Sequence, residues 1–151
     1  MSFNSFDEQF ISKMHKWGIP FLRISLGIVF LWFGALKLIG VSPINELIGN
    51  TYSFLPQLNF IILLGALECV IGFGLISKIN LRLILLALWI QMAGTLVAPM
   101  LAPSLFFQHN NIFLLTMNGE FVVKNLVLIF ASIVIGGFEV KPKTIVQNIA
   151  D

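Results

Sequence analysis

Six polar side chains, Arg23, Lys37, Glu68, Gln91, Glu120 and Lys124, stand inside or at the ends of runs that are otherwise almost entirely Leu, Ile, Val, Phe, Ala and Gly. A charge in hydrocarbon is costly, on the order of 3 kcal/mol on insertion scales, so such residues face a protein interior, pair with one another and mark a site. Two kinds of chemistry are open to this set. The lysines can hold a polar or anionic ligand, and a buried glutamate can take or give a proton.

Spacing sorts these residues by depth. Arg23, Gly27, Phe30, Gly34 and Lys37 recur every three or four positions and share one helical face. Gly65, Glu68 and Gly72 form a second stripe, and Ala87, Gln91, Gly94 and Ala98 a third. Small residues let membrane helices approach closely, so the three stripes are expected to face one another. At 1.5 Å rise per residue, Lys37 and Lys124 fall near one membrane face, Glu68 and Gln91 near the middle, and Arg23 at the opposite edge. Glu120 precedes Lys124 by one turn, the favourable order for an ion pair, and lies where a helix dipole favours negative charge. The expected result is a polar pocket with two lysines and two glutamates, opening outward.

Each of these residues also has a plainer reading. Glu120 with Lys124 is then a helix-start ion pair, Arg23 an inner-face anchor, Lys37 a snorkelling cation and Gln91 interhelical glue. Glu68 is the exception, because a short carboxylate in mid-span cannot reach water easily. Cys69, the one cysteine, points about 100° away from Glu68 and reads as a packing residue. The two histidines, His15 and His109, flank the apolar runs on opposite sides, which leaves no intramembrane bis-His ligation and no Ser-His-Asp arrangement. No phosphate-binding loop occurs, nothing basic and aromatic suggests nucleic acid, and no cofactor motif is evident.

The elements that must position these groups follow from composition. The 151 residues are 58% hydrophobic and only 11% charged, against roughly 25% charged in a soluble domain. About 20 apolar residues cross the bilayer core, and four runs meet that length: 20–40, 60–77, 81–98 and 118–139. Together they predict an all-α membrane protein, a four-helix transmembrane bundle over 19–140. Residues 1–20 lack the pattern of a signal peptide, and 1–18 form the expected N-terminal segment. Phe3, Phe6, Phe10, Met14 and Trp17 predict instead a short amphipathic helix lying on the membrane, with Pro20 opening the first span. Residues 141–151 are expected to form a cytoplasmic tail.

Lys13, Lys16, Arg23, Lys78, Arg82, Lys141 and Lys143 gather on one side of the four spans. The positive-inside tendency therefore puts both termini in the cytoplasm. The two loops on the other side are expected to be partly structured. Ser42-Pro43 resembles a helix cap, with Ile44, Leu47 and Ile48 turned inward and Gly49-Asn50 as a stop. Pro99 and Pro103 should end or kink the third span, and the apolar loop after them should cap the outer mouth.

Phe33-Gly34-Ala35-Leu36-Lys37, the run Glu68 to Leu75 with Gly72 and Gly74, and Gly119-Glu120 with Lys124-Asn125-Leu126 resemble, in order and spacing, the signatures of the DoxX-like membrane proteins. The resemblance extends from about Trp17 to Gly137. It implies a four-helix protein of the bacterial inner membrane, related to components of sulfur, thiol or oxidative-stress redox systems. It also implies that Lys37, Glu68, Glu120 and Lys124, with Arg23 beside them, are the functional positions. Any redox role would need a bound quinone, a partner oxidoreductase subunit, or both.

Three functions are thus in view. One is a redox-associated subunit in which the lysines hold a quinone carbonyl or an anionic sulfur compound while Glu68 takes or gives the proton, with Glu120 a further catalytic candidate. A second is a non-redox module that binds or moves a small solute or lipid. A third is a membrane scaffold for a partner protein. A homodimer packed through the glycine stripes is compatible with each.

Overall fold

The computed structural model describes residues 3–109 and 111–141, with side-chain surroundings from residue 7 onward. The tail beyond Lys141, including Lys143, and the side chains of Phe3 and Phe6 lie outside the described residues. The described residues are mostly helical. Its elements are α1 (Phe3–Leu38), α2 (Asn45–Thr51), α3 (Gln57–Ser77), α4 (Leu81–Leu101), α5 (Pro103–Phe106), strands β1 (Phe107–Gln108) and β2 (Asn111–Leu115), and α6 (Met117–Glu139). Four of these helices, α1, α3, α4 and α6, are long and apolar enough to cross a membrane, as in a multi-pass membrane protein. They leave Trp32, Phe73, Ile90, Val127 and Phe138 at least 60% exposed, an outer surface that suits hydrocarbon rather than water.

α1 packs most extensively on α3, α3 meets α4, α4 meets α6, and α6 returns to α1. The α1–α3 contact is made by glycines. A Cβ on Gly72 would lie 2.4 Å from Leu31 N and 2.6 Å from Gly27 O, and one on Gly34 would lie 2.6 Å from Gly65 O. Backbone thus touches backbone along the two stripes. The third stripe differs: Gly94 has open space where its Cβ would be, so α4 joins by side chains. Leu26, Phe30, Ile71, Leu75, Leu85, Leu88 and Ile135 fill the centre. Trp89 donates its indole N–H to Ser132 Oγ at 2.8 Å, joining α4 to α6.

Three local expectations are corrected. The predicted interfacial helix over 1–18 and the span opening at Pro20 are one helix of 36 residues. Pro20 removes a single backbone donor, the partner of the Lys16 carbonyl, and Lys16 is exposed, so that carbonyl can be solvated. Ser42-Pro43 does not cap α2. The helix begins at Asn45, whose N–H donates to Ser42 O at 3.2 Å in a preceding turn. Pro99 does not end the third span, which continues to Leu101; Pro103 opens α5 instead.

The remaining connections define the two ends of the helices. At one end Lys78 and Asn80 adopt positive φ, 60° and 46°, to reverse the chain between α3 and α4. At the other, α5 and the unpredicted β1–β2 hairpin fold over α6. Phe106, 1% exposed, packs with Ala98 and Val122. Thr116 caps α6 by accepting from Gly119 N at 3.2 Å, while its hydroxyl donates to Leu105 O at 2.7 Å. We call these the turn end and the hairpin end.

Candidate functional site

Three helices each contribute one buried polar side chain to a single cluster near the hairpin end. Lys37 closes the last turn of α1, where a helix dipole favours a cation. Glu68 comes from the middle of α3 and Gln91 from the middle of α4. Lys37 Nζ donates to Glu68 Oε2 at 2.6 Å, and Gln91 Nε2 donates to Glu68 Oε1 at 2.7 Å. The three residues are 6%, 8% and 7% exposed. Both carboxylate oxygens are therefore engaged, which a buried charge requires.

The cluster forms one wall of a cavity of about 130 Å3 lined from α1, α2, α3, α4 and α6. The rest of the wall is mainly apolar and aromatic, with Phe30, Phe33, Phe60 and Phe121 among its lining residues. An apolar cavity of about 150 Å3 is enough to admit one benzene ring, so this space matches a single six-membered ring. Asn125 on α6 also lines the cavity and donates through Nδ2 to Thr95 Oγ1 at 3.3 Å.

Tyr52 follows α2 and closes the cavity beside α4. Its hydroxyl donates to Gly94 O at 2.7 Å, and its ring meets Phe60 edge-on with centroids 5.4 Å apart. Burial pushes the Tyr52 phenol above its ordinary pKa. A second, smaller cavity of about 60 Å3 adjoins the first behind Tyr52, Thr95 and Asn125, and includes Thr51 in its wall.

Lys37, Glu68 and Gln91, expected from spacing, thus stand together. Arg23, Glu120 and Lys124 do not join them. Arg23 lies at the turn end, fourteen residues from Lys37, or roughly 21 Å along the helix. Its Nε lies 2.7 Å from Glu139 Oε2, and its Nη1 donates to Ile76 O at 2.9 Å and also to Leu75 O, carbonyls left over in the last turn of α3. Lys78 Nζ approaches the same Glu139 oxygen at 3.4 Å. Arg23 is thus anchored at the turn end.

Glu120 and Lys124 are exposed, and no ion pair joins them among the described residues. Their neighbours Phe121 and Asn125 line the cavity instead. The expected pocket of two lysines and two glutamates is corrected to one of each, plus Gln91 and Asn125.

Sequence reasoning missed Asn125, Thr95, Tyr52 and Glu139. A signal for α6 existed: Gly119, Val122, Asn125, Ser132 and Ile135 recur at helical spacing and are all buried. That face, and not the one with the charges, turns inward. Among the described residues no group of His, Cys, Asp and Glu could hold a metal ion. Comparison of the chain with protein-family models, with curated proteins and with solved structures finds no match.

Proposed function

We propose that this chain is a DoxX-like four-helix bundle of the bacterial cytoplasmic membrane, with both termini in the cytoplasm. We further propose that its cavity beside Glu68 binds a quinone-type ring for a redox-associated membrane subunit. The observation that carries the reading is a one-ring cavity with apolar walls and a single buried polar cluster, Lys37–Glu68–Gln91. Ligand sites commonly combine such walls with a few placed polar groups. The orientation draws on Lys78, Arg82 and Lys141, which gather at the turn end.

The residues fit the reduced, hydroxyl-bearing form of such a ring on one structural test. Gln91 Oε1 is buried without a hydrogen-bond partner, and an orphaned buried acceptor is uncommon enough to require a reason. A quinone supplies two-electron, two-proton redox chemistry when bound. In this reading Lys37 orients the ring through its remaining N–H groups, the Glu68 carboxylate is the base for a proton released at the ring, and the phenylalanines exclude water. Phe33 of α1 and Phe121 of α6, centroids 6.4 Å apart, pack against each other in the cavity wall between these helices. Electrons are exchanged with a partner oxidoreductase subunit.

A second reading, a membrane scaffold for a partner protein, is favoured by the mutual satisfaction of Lys37 and Glu68 without any ligand. The exposed apolar side chains Phe10, Met14 and Trp17 on the outlying half of α1 offer such a partner a surface. Native mass spectrometry of the gently extracted chain, with quinone and lipid analysis, separates the readings. Stoichiometric quinone, lost on Lys37→Ala, is the expected result. Phospholipid alone, or no small molecule, would contradict it.

A further inference from the structure

We infer that the small cavity behind Tyr52 is a bound-water site, and that it connects Glu68 to the hairpin end alone. A proton taken up by the Glu68 carboxylate then has one way out of the bundle; that role for Glu68 rests on the reading above. The first observation is a buried hydroxyl with nothing to bond. Thr51, the last residue of α2, is 6% exposed, lines the cavity of about 60 Å3, and its Oγ1 has no hydrogen-bond partner. A buried polar group left unpaired is costly and uncommon. A water needs roughly 15 Å3 of such space and two to four polar partners. The Thr51 hydroxyl can both donate and accept, and Tyr52, Thr95 and Asn125 stand on the same wall.

The second observation is where the polar groups lie. Tyr52, Thr95 and Asn125 line both cavities, so the small one continues the space lined by Glu68 and Gln91. Gln91 Oε1, also buried and unpaired, stands at the inner end of this trail, and Thr51 Oγ1 at the outer end.

The contrast toward the turn end is the third. Ten residues of helix, about 15 Å, separate Glu68 from Lys78. Leu26, Ile71, Leu75, Leu85, Leu88 and Ile135, each at most 4% exposed, fill that half of the bundle. There α1 meets α3 backbone to backbone at Gly27 and Gly72. Among the described residues, Ser132 is the one buried polar side chain between the levels of Glu68 and Arg23. Its hydroxyl is already committed, accepting from Trp89 Nε1 at 2.8 Å and donating to Ile129 O at 2.6 Å. A filled apolar stretch gives water neither space nor partners.

The test needs no ring. The full-length Cys69→Ser protein, in sealed membrane vesicles, carries one further substitution: Thr51→Cys or Thr95→Cys on the polar side, Leu88→Cys or Ile135→Cys on the apolar side. Silver ion, a small hydrated cation, is added to one face, and thiols left unreacted are read by maleimide mass shift after denaturation. Ser42→Cys in the same vesicles identifies the hairpin face. Thr51→Cys and Thr95→Cys should react from the hairpin face at least about tenfold faster than Leu88→Cys or Ile135→Cys from either face, since the thiolate is the reactive form. Equal rates at all four positions, faster reaction of Thr51→Cys from the turn face, or no reaction at any of them overturns the inference. Solid-state NMR of the unsubstituted chain, following magnetisation transfer from water, decides even if a variant misfolds. Transfer to Thr51 and Thr95 is expected; transfer to Leu75 or Leu88 at the same rate overturns the inference. A chain that binds no ring yet gives the expected labelling loses the quinone reading and keeps the one-sided water path.

Discussion

Glu68 carries its charge between two helices that each supply it with one donor, and neither donor is replaceable by water at that depth. Removing one member of a buried pair strands the other, which costs about 3–5 kcal/mol, whereas removing both is far milder. Lys37→Met should therefore lower the thermal unfolding midpoint in detergent sharply, and adding Glu68→Leu should restore much of it. Tyr52 is the only tyrosine in the chain, so phenolate absorbance reports on it alone. Burial raises its pKa above 10.0, so its midpoint should lie higher in the folded protein and fall to about 10 on denaturation. The sign follows: a raised folded pKa means stability from this group is intact below pH 10 and declines as pH rises through the folded value. A folded midpoint at or below 10 would contradict its burial.

At the scale of elements, α1 and α3 are held at backbone contact by Gly27, Gly34, Gly65 and Gly72, and α4 is not held that way. Overpacking a tight interface costs about 1–3 kcal/mol or more. Gly72→Leu should accordingly destabilise or separate the pair, whereas Gly94→Ala, with open space around it and better helix propensity, should be neutral or slightly stabilising. Thermal unfolding of the two variants side by side checks this. The stripes on α1 and α3 were legible because glycine at helical spacing in an apolar run has few other uses. The phase of α6 was misread for a physical reason. Charges drew attention to Glu120 and Lys124, but at the end of a span exposed charges reach headgroups, and the small and polar side chains Gly119, Asn125 and Ser132 turn inward. The same bias hid Glu139, which reads as the polar end of a helix until Arg23 is found beside it.

Across the whole molecule, hydrophobicity and length located four helices able to span a membrane, and the bounds of the last three moved by at most three residues, whereas the first helix begins at Phe3 and not at position 20. What they could not convey was continuity. A proline at position 20 reads as a boundary, yet one missing hydrogen bond is small against a 36-residue helix of about 54 Å. The hairpin of β1 and β2 was equally hidden, its strands being only two and five residues long. The proposed topology puts the turn end in the cytoplasm and the hairpin end outside. In a Cys69→Ser background, Ile79→Cys should be labelled by an impermeant thiol reagent only from the cytoplasmic side, and Ser42→Cys only from the outside. Labelling of both from one side would contradict it.

We propose that a ring-shaped ligand occupies the space between Phe33, Phe60, Glu68, Gln91 and Asn125. Photolabelling with an azido-quinone in native membranes, followed by peptide mapping, tests it most directly. Adducts are expected on α1, α3 and α6 residues lining the cavity, suppressed by excess tail-less benzoquinone and lost in Lys37→Ala. Adducts confined to lipid-facing residues such as Trp32, Phe73 and Phe138, insensitive to competitor, would contradict it.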